Sequence, residues 1–282
     1  MTETQSASAA ATGRLLGLRQ GKSLVVAIDG PSGSGKSSVS REVARRLGLA
    51  YLDTGAMYRS LTWQCLDTGV ALDDAVAVEA AARALELEQS TNPDHEFVKV
   101  SGREVAALIR EPRISAAVSA VATTLGARTE LVRRQREAIV RAAKRMVVEG
   151  RDITTVVVPT AEVRLLLTAS EEARMARRGI QLGGTQTTAQ LTRQVLARDA
   201  KDSTVVEFHR AADGVVTVDS SDLDFEQTVD AVLRVVVDAV EGKHFQGGHF
   251  EGGHFGSTAR NAQADAGTCA LALNPGPPSS SP

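Results

Sequence analysis

The feature of this chain that most constrains its fold is the stretch Leu24–Ser37, which reads LVVAIDGPSGSGKS. A short apolar run ends there in a glycine-rich loop, and Gly30, Gly35, Lys36 and Ser37 fit the spacing G-x-x-x-x-G-K-[ST]. Glycines let the backbone turn tightly, so its N–H groups can converge on phosphate oxygens, and the helix that follows directs its positive end at the same anion. The spacing therefore predicts a strand, a phosphate-binding P-loop and a helix.

The side chains of this loop indicate its ligand. Lys36 adds a point charge on the outer phosphates of a nucleotide, and the Ser37 hydroxyl can hold Mg²⁺, so ATP with Mg²⁺ is the expected ligand. The alternative is a glycine-rich turn with an incidental lysine, which the flanking strand and helix disfavour. The predicted ATP-binding residues are Gly30, Pro31, Ser32, Gly33, Ser34, Gly35, Lys36, Ser37 and Ser38.

Composition excludes several other classes of protein. The chain has 282 residues and a net charge of −2, which suits one globular domain with appendages, or two small domains, and gives no sign of a nucleic-acid partner. No apolar run approaches the roughly 20 residues of a membrane span, and the polar N-terminus lacks the apolar centre of a signal peptide. Cys65 and Cys269 lie far apart, so a reduced, cytoplasmic protein is expected.

Predicted strands and predicted helices alternate along the chain. This order predicts a parallel α/β fold that binds ligands at the carboxyl ends of its strands. The P-loop, Asp53–Gly55 and Gly150–Asp152 each follow a predicted strand, so all three are expected at that edge of the sheet. The predicted strands are 24–28, 50–52, 146–148, 163–167 and 215–218. The predicted helices are 35–47, 56–66, 73–87, 113–125, 128–145 and 225–240.

Three segments have a different texture. Residues 96–105 alternate polar and apolar side chains around Ser101-Gly102, which predicts a hairpin. Residues 1–21 and the tail 244–282 are of low complexity, and disorder is expected for both. His-Phe pairs recur every five residues in the tail. A loose divalent-metal site is the less favoured interpretation of these pairs, because no carboxylate or thiol completes it.

Five motifs together resemble the bacterial cytidylate kinase (CMP/dCMP kinase) family over about residues 22–240. They are GPSGSGKS, DTGAMYR at 53–59, RRQR at 133–136, EGRDITTVV at 149–157 and RDAKDST at 198–204. The resemblance implies a P-loop NTPase fold with three layers, α/β/α, and a five-stranded parallel core sheet. It also implies a kinase domain at 22–243 with a monophosphate-binding insert at about 76–114 and a lid at about 170–205. The implied reaction transfers the γ-phosphoryl group of ATP to CMP or dCMP, with Mg²⁺, in a monomer.

The implied site is rich in cations because two nucleotides bring their negative phosphates together. The resemblance assigns Arg59 and Arg151 to the acceptor phosphate. A carboxylate or hydroxyl can accept from the amine of cytosine, and a guanidinium can donate to N3 and O2. The resemblance accordingly assigns Ser119, Arg128 and Asp152 to the base, and Arg198 and Asp202 to the ribose, with Thr54 and Tyr58 completing the substrate cleft. The catalytic set is Lys36, Arg59, Arg151, Arg177 and Arg178, and the metal residues are Ser37 and, through water, Asp53.

Structural alternatives stay open for several of these residues. Arg151 and Asp152 can instead form a local ion pair that caps a helix. Arg177 and Arg178 can be exposed, solubilising side chains of a helix, and the run Arg133–Arg136 can be structural in whole or in part. Asp53 can fix its loop rather than orient water around a metal.

The chain departs from the family's pattern in the lid. Where the family has an arginine followed by a Pro-Leu pair, this chain has Val205 to Phe208, with Arg210 at a shifted spacing. Either Arg210 replaces the missing cation or the lid closes with one fewer. Two other functions stay open, namely a P-loop kinase for another monophosphate or a metabolite such as shikimate, and a nucleotide-binding switch. The sequence ranks neither CMP against dCMP nor the oligomeric states.

Overall fold

The computed structural model describes residues 23–181, 200, 210–242 and 249–250. Its main sheet is parallel and has the order β2-β6-β1-β7-β8-β9, and a second, antiparallel sheet has the order β3-β4-β5. The strands are β1 (Leu24–Asp29), β2 (Ala50–Asp53), β3 (Leu87–Gln89), β4 (Val98–Val100), β5 (Arg103–Glu104), β6 (Arg145–Gly150), β7 (Val163–Thr168), β8 (Val216–Asp219) and β9 (His249–Phe250). The helices are α1 (Lys36–Leu47), α2 (Thr54–Asp67), α3 (Ala75–Ala84), α4 (Pro112–Ala122), α5 (Leu125–Arg141), α6 (Glu171–Gln181) and α7 (Phe225–Val240).

The main sheet is covered on both faces because its central strand is apolar on both. Val25 and Ala27 of β1 belong to the core under α2, α3, α4 and α5, whereas Leu24, Val26 and Ile28 belong to the core under α1 and α7. The whole of β1 is buried, as expected for a strand inside a parallel sheet. This arrangement confirms the predicted three-layer α/β/α fold.

Local capping explains where the helices begin and end. Asp53 and Asp74 accept hydrogen bonds from backbone N–H groups at the starts of α2 and α3. Asp224 and Gln227 form a reciprocal capping box at the start of α7. Helix α1 ends at Gly48, whose φ of 63° is the left-handed conformation that glycine favours.

The segment between α2 and α4 differs in detail from the prediction. Helix α3 ends at Ala84 rather than at 87, because Leu87 belongs to β3, a three-residue strand that the sequence did not predict. Strand β3 pairs with β4, which pairs in turn with β5 in the expected hairpin. The antiparallel sheet and a 3₁₀ turn at Leu108–Arg110 lie within the proposed insert at 76–114, whose limits stay a prediction.

Two other differences concern helix α5 and the sheet edge. Helix α5 ends at Arg141 rather than at 145, because Ala143 and Lys144 adopt positive φ values of 53° and 54° and turn the chain into β6. Within the tail at 244–282, His249–Phe250 pair with β8 and make the sheet six-stranded. The disorder expected for this tail stays a prediction. The remainder of that tail, and residues 1–22, lie outside the described residues.

Part of the predicted lid also lies outside them, namely 182–199 and 201–209 with Arg198, Asp202 and Val205. Across the described ranges, none of the helices combines the length and the apolar character that a membrane crossing requires.

Candidate active site

The P-loop connects the carboxyl end of β1 to the first turn of α1, as predicted. Gly33 and Gly35 have φ values of +82° and +87°, a conformation that side chains with a Cβ adopt only with strain. Gly30 is required by space, since a Cβ there would lie 2.3 Å from the backbone oxygen of Leu167 in β7. The loop can therefore bring its N–H groups close to an anion at the N-terminus of α1.

Two clefts meet at this loop. They share Lys36, Ser37 and Arg59, so a group bound between the clefts touches the same cations from either side. The cleft that contains the predicted ATP-binding loop is called the donor cleft. It is lined by Ser32–Val39, Arg59, Arg110, Arg177, Ile180, Leu223–Phe225 and Thr228. The cleft that contains most of the residues predicted to bind the monophosphate is called the acceptor cleft. It is lined by Lys36, Ser37, Asp53, Thr54, Gly55, Tyr58, Arg59, Val118, Ala122, Thr123, Arg128 and Glu149–Asp152.

The acceptor cleft brings together most of the residues predicted to bind a monophosphate. Thr54, Tyr58, Arg59, Arg128, Arg151 and Asp152 all line it. Ser119 is buried in α4 and is not among the lining residues that the structure describes there; its neighbours Val118 and Thr123 occupy that wall. Arg198 and Asp202 lie outside the described residues.

A largely buried ion pair lines this cleft. The Arg128 guanidinium donates to Asp152 across a separation of 24 residues, and both side chains are largely buried. Burial raises the pKa of Asp152, and the neighbouring Arg128 counters part of that rise. The structure thus pairs Asp152 with Arg128. The role of Arg151 stays a prediction.

Glu149, at the end of β6, is a site residue that the sequence analysis did not single out. It is 2% exposed, its Oε2 lies 4.0 Å from Lys36 Nζ, and its carboxylate accepts from the Tyr51 hydroxyl at 2.9 Å and from the Ser37 side chain. Burial and the nearby charge of Asp53 raise the pKa of Glu149, whereas Lys36 lowers it. An acidic residue at the end of the strand next to a P-loop strand is the signal that could have identified it.

The oxygen atoms of Ser37 and Glu149 are suited to a magnesium ion that is bound together with a nucleotide. They do not form a metal site made of protein ligands alone. Mg²⁺ keeps most of its water and takes one or two protein oxygens together with nucleotide phosphates. The described residues hold no cluster of three or more acidic, histidine or cysteine side chains that could form such a site. The Asp53 carboxylate caps α2 at Ala56 N, 2.9 Å away, and lies 3.8 Å from Arg59. A water-mediated role of Asp53 at the metal stays a prediction.

Arg177 is an anchor of the donor cleft as the structure shows it. Its guanidinium donates to the backbone oxygens of Ser34, Ser220 and Leu223 and to the Ser220 hydroxyl. These bonds tie the P-loop to the loop before α7, so this arginine is neither a free solubilising side chain nor directed at the acceptor cleft. The side chain of Arg178 lies outside what the structure describes.

The other arginines considered from the sequence have structural contacts. Arg134 donates to backbone oxygens at the end of α3, including Leu85 O at 2.6 Å, and Arg136 donates to Val157 O at 3.0 Å. Arg133 forms exposed ion pairs with glutamates of its own helix. Arg134 and Arg136 therefore join α5 to neighbouring segments, whereas the ion pairs of Arg133 lie within the helix.

Comparison with known proteins identifies the family. The family model described as cytidylate kinase matches residues 26–238. The cytidylate kinase of Cutibacterium acnes is 46% identical over 217 residues, which are 76% of this chain and 96% of that protein. Those of Nocardia farcinica and Mycobacterium avium are 47% and 45% identical, over 77% and 73% of this chain and 95% and 92% of those proteins.

The chain belongs to the cytidylate kinase family. This confirms the resemblance found in the sequence and, with it, the expectation of an enzyme, a nucleoside monophosphate kinase that uses ATP. The family match ends at residue 238, before the His-Phe tail, so the tail lies outside the part that resembles other cytidylate kinases.

Proposed function

We propose that this chain transfers the γ-phosphoryl group of ATP to CMP or dCMP in pyrimidine nucleotide metabolism. The observation that carries the proposal is that the donor and acceptor clefts share Lys36, Ser37 and Arg59. A phosphate bound on the P-loop and a monophosphate bound beside Arg59 and Arg151 then meet between the same cations. In-line transfer needs this proximity more than it needs a covalent group on the enzyme.

Each side chain has a defined task in this reaction. The P-loop N–H groups and Lys36 hold the donor phosphates, and Arg59 and Arg151 offset the charge of the acceptor phosphate. The Arg128–Asp152 pair meets the cytosine ring, with the carboxylate accepting from the exocyclic amine and the guanidinium donating to ring acceptors. No general base is required, because a phosphate monoester is already ionised near pH 7.

Ser37 and Glu149 would hold Mg²⁺, the second directly or through water. Bound there with ATP, the ion would neutralise charge on the β- and γ-phosphates. The Tyr51 hydroxyl donates to Glu149 Oε1 at 2.9 Å and so helps to fix the carboxylate. We also propose that the lid at about 170–205 closes over both nucleotides, so that water is excluded and ATP is not hydrolysed. The monomeric state and the cytoplasmic setting stay predictions from the sequence.

The test of this function is a coupled ADP-release assay with ATP·Mg²⁺ and CMP, dCMP, UMP, AMP and GMP in parallel. We expect turnover of CMP and dCMP at rates well above those of the other three. Equal rates with CMP and UMP would contradict cytosine selectivity and favour a broader P-loop kinase. No ATP consumption with any monophosphate, with ATP still bound, would favour a nucleotide-binding switch.

Replacing Glu149 with glutamine is expected to raise the Mg²⁺ concentration for half-maximal rate by about 10- to 100-fold, because the amide oxygen is a weaker ligand. Tyr51→Phe should raise the same Mg²⁺ concentration by a smaller factor. Rates are measured against Mg²⁺ at fixed ATP, and ATP binding without metal is measured by calorimetry and should change little. Glu162→Gln is the control, because Glu162 accepts a hydrogen bond from Val25 N, at the end of β1 opposite the P-loop. An unchanged Mg²⁺ dependence in Glu149→Gln would show that the carboxylate does not serve the metal.

A further inference from the structure

Asp29 is a buried acidic residue next to the P-loop that the mechanism above does not use. It is the last residue of β1, directly before Gly30, and is 4% exposed. Its carboxylate accepts hydrogen bonds from Ile153 N at 2.8 Å, Thr154 N at 2.9 Å and Thr154 Oγ1 at 2.6 Å. All three donors belong to the turn that follows Arg151 and Asp152, so the carboxylate bonds to the acceptor segment.

The turn needs an acceptor from elsewhere in the chain. Residues Ile153–Val157 form one wide, π-helical turn, and Asp152 before it makes no side-chain cap. The first N–H groups of a helical turn have no partner within it, and leaving them unpaired in a buried place is costly. Asp29 provides the cap in place of a local residue, across 124 residues of sequence.

Strand register explains why this aspartate can reach the turn. Strands β1 and β6 run parallel, and Asp29 lies opposite Gly150. The chain leaves β1 into the P-loop and leaves β6 into Arg151 and Asp152, so the donor and acceptor segments diverge from adjacent positions at this edge. A carboxylate at Asp29 spans the gap just where they separate.

Burial of the Asp29 carboxylate has an electrostatic cost, which its pKa reflects. Burial raises its pKa to about 6, although the hydrogen bonds from Thr154 and Ile153 lower it. Because this folded pKa lies above the ordinary value of 3.8, the folded chain binds the proton more tightly than the unfolded chain between those values. Ionisation of Asp29 thus reduces stability as the pH rises through this window toward neutrality.

We propose that Asp29 is a positioning residue, which holds Arg151 and Asp152 at the acceptor site in fixed register with the P-loop. This inference rests on the proposed function, in which those two residues bind the acceptor monophosphate. Asp29 itself is not among the described residues that line either cleft. Its loss would let the acceptor segment move while the P-loop glycines and Lys36 keep their own contacts.

The experiment measures KM for CMP and for ATP separately in Asp29→Asn. An amide has one acceptor oxygen and turns its NH₂ toward the donors of the turn, so KM for CMP should rise about tenfold or more, whereas KM for ATP should change less than about twofold. Thr154→Val removes only the hydroxyl donor and should give a smaller rise in KM for CMP. An unchanged KM for CMP in both variants, or equal rises in KM for CMP and ATP, would overturn the proposal.

The control is Glu162→Gln. Glu162 accepts from Val25 N at 2.8 Å and Ser23 Oγ at 2.9 Å, so it too is a carboxylate bound to backbone, at the far end of β1. It should lower stability without raising KM for CMP. A rise in KM for CMP equal to that of Asp29→Asn would mean that general loosening of β1 is sufficient, and would also overturn the proposal.

A second measurement separates this inference from the proposed function. Amide NMR of the nucleotide-free chain reports the hydrogen bonds of Ile153 and Thr154, whichever nucleotide the enzyme accepts. In Asp29→Asn we expect both amides to move upfield and to exchange faster with solvent, while the P-loop amides keep their shifts. If the wild type turns over no CMP, the proposed function fails. Unmoved Ile153 and Thr154 amides would refute the positioning role by themselves.

Discussion

Replacing Lys36 with methionine is expected to lower kcat by about 10³-fold with CMP and ATP, because it removes the cation shared by the donor and acceptor clefts. The lysine side chain is 16% exposed, and its Nζ lies 3.4 Å from Pro31 O and 4.0 Å from Glu149. Methionine keeps the unbranched apolar part of the side chain and removes the charged ammonium group. The charge acts most strongly where negative charge spreads over the phosphoryl group in transit, so kcat should fall more than ATP affinity.

Steady-state kinetics and ATP binding by calorimetry check this expectation. Lys99→Met is the matched control, because Lys99 lies over the ring of Phe97 in the antiparallel sheet and lines neither cleft. A Lys36→Met variant with normal kcat and weak ATP binding would assign the lysine to ground-state binding alone. A variant with normal values of both would remove Lys36 from the site.

Local patterns in the sequence were sufficient for much of this site. The P-loop is a contiguous motif, so its strand, glycine turns and helix follow from residues that are neighbours in the chain. The sequence also predicted at which edge of the sheet the site lies, because parallel strands bring their carboxyl ends together. Gly55 and Gly150 therefore meet in one cleft, as predicted, although 95 positions separate them.

Long-range pairing accounts for what the sequence did not reveal. The π-helical turn at Ile153–Val157 is capped by Asp29 from another strand, and no local pattern indicates such a cap. Strand β3 continues an alanine-rich helical pattern and forms only because Leu87 and Gln89 find partners in β4. In the sequence, Glu149 follows an apolar run and resembles the first residue of a loop. Its place in the site is evident only in the fold, where it contacts Lys36, Ser37 and Tyr51.

Arg177 illustrates how an arginine can be predicted at the right site for a different task. Its position in α6 suggested a lid cation, and the residue does line the donor cleft. Its N–H groups, however, are directed at backbone oxygens of Ser34, Ser220 and Leu223, which determine the shape of the cleft wall. Which carbonyls converge on a side chain depends on loop geometry rather than on spacing. A direct role of Arg177 in catalysis stays a prediction.

Replacing Asp152 with asparagine is expected to lower kcat/KM for CMP by about 10²- to 10³-fold, because it breaks a buried ion pair and leaves the charge of Arg128 without its carboxylate. The carboxylate also accepts from the cytosine amine in the proposed complex. An amide can present either an oxygen or an NH₂ group to the base, so it no longer distinguishes an amine from a carbonyl. The loss should therefore be larger for CMP than for UMP.

The informative quantity is the ratio of kcat/KM for CMP to that for UMP, measured with dCMP alongside. In Asp152→Asn this ratio should fall toward one, and dCMP should follow CMP because the two share a base. Asp67→Asn is the control, since Asp67 forms an exposed ion pair with Arg103, 3.8 Å away, and lines neither cleft.

The two possible roles of Asp152 differ in this ratio. If the residue only stabilises the fold through Arg128, then Asp152→Asn lowers kcat/KM for CMP and UMP by the same factor and the ratio stays at its wild-type value. If it contacts the base, the ratio falls even where the melting temperature changes little. Because burial raises the pKa of Asp152, the wild-type ratio should also decline on acidification, at a higher pH than an ordinary aspartate would require, as the carboxylate becomes protonated. Asp152→Asn should lack that pH dependence, since its side chain does not titrate.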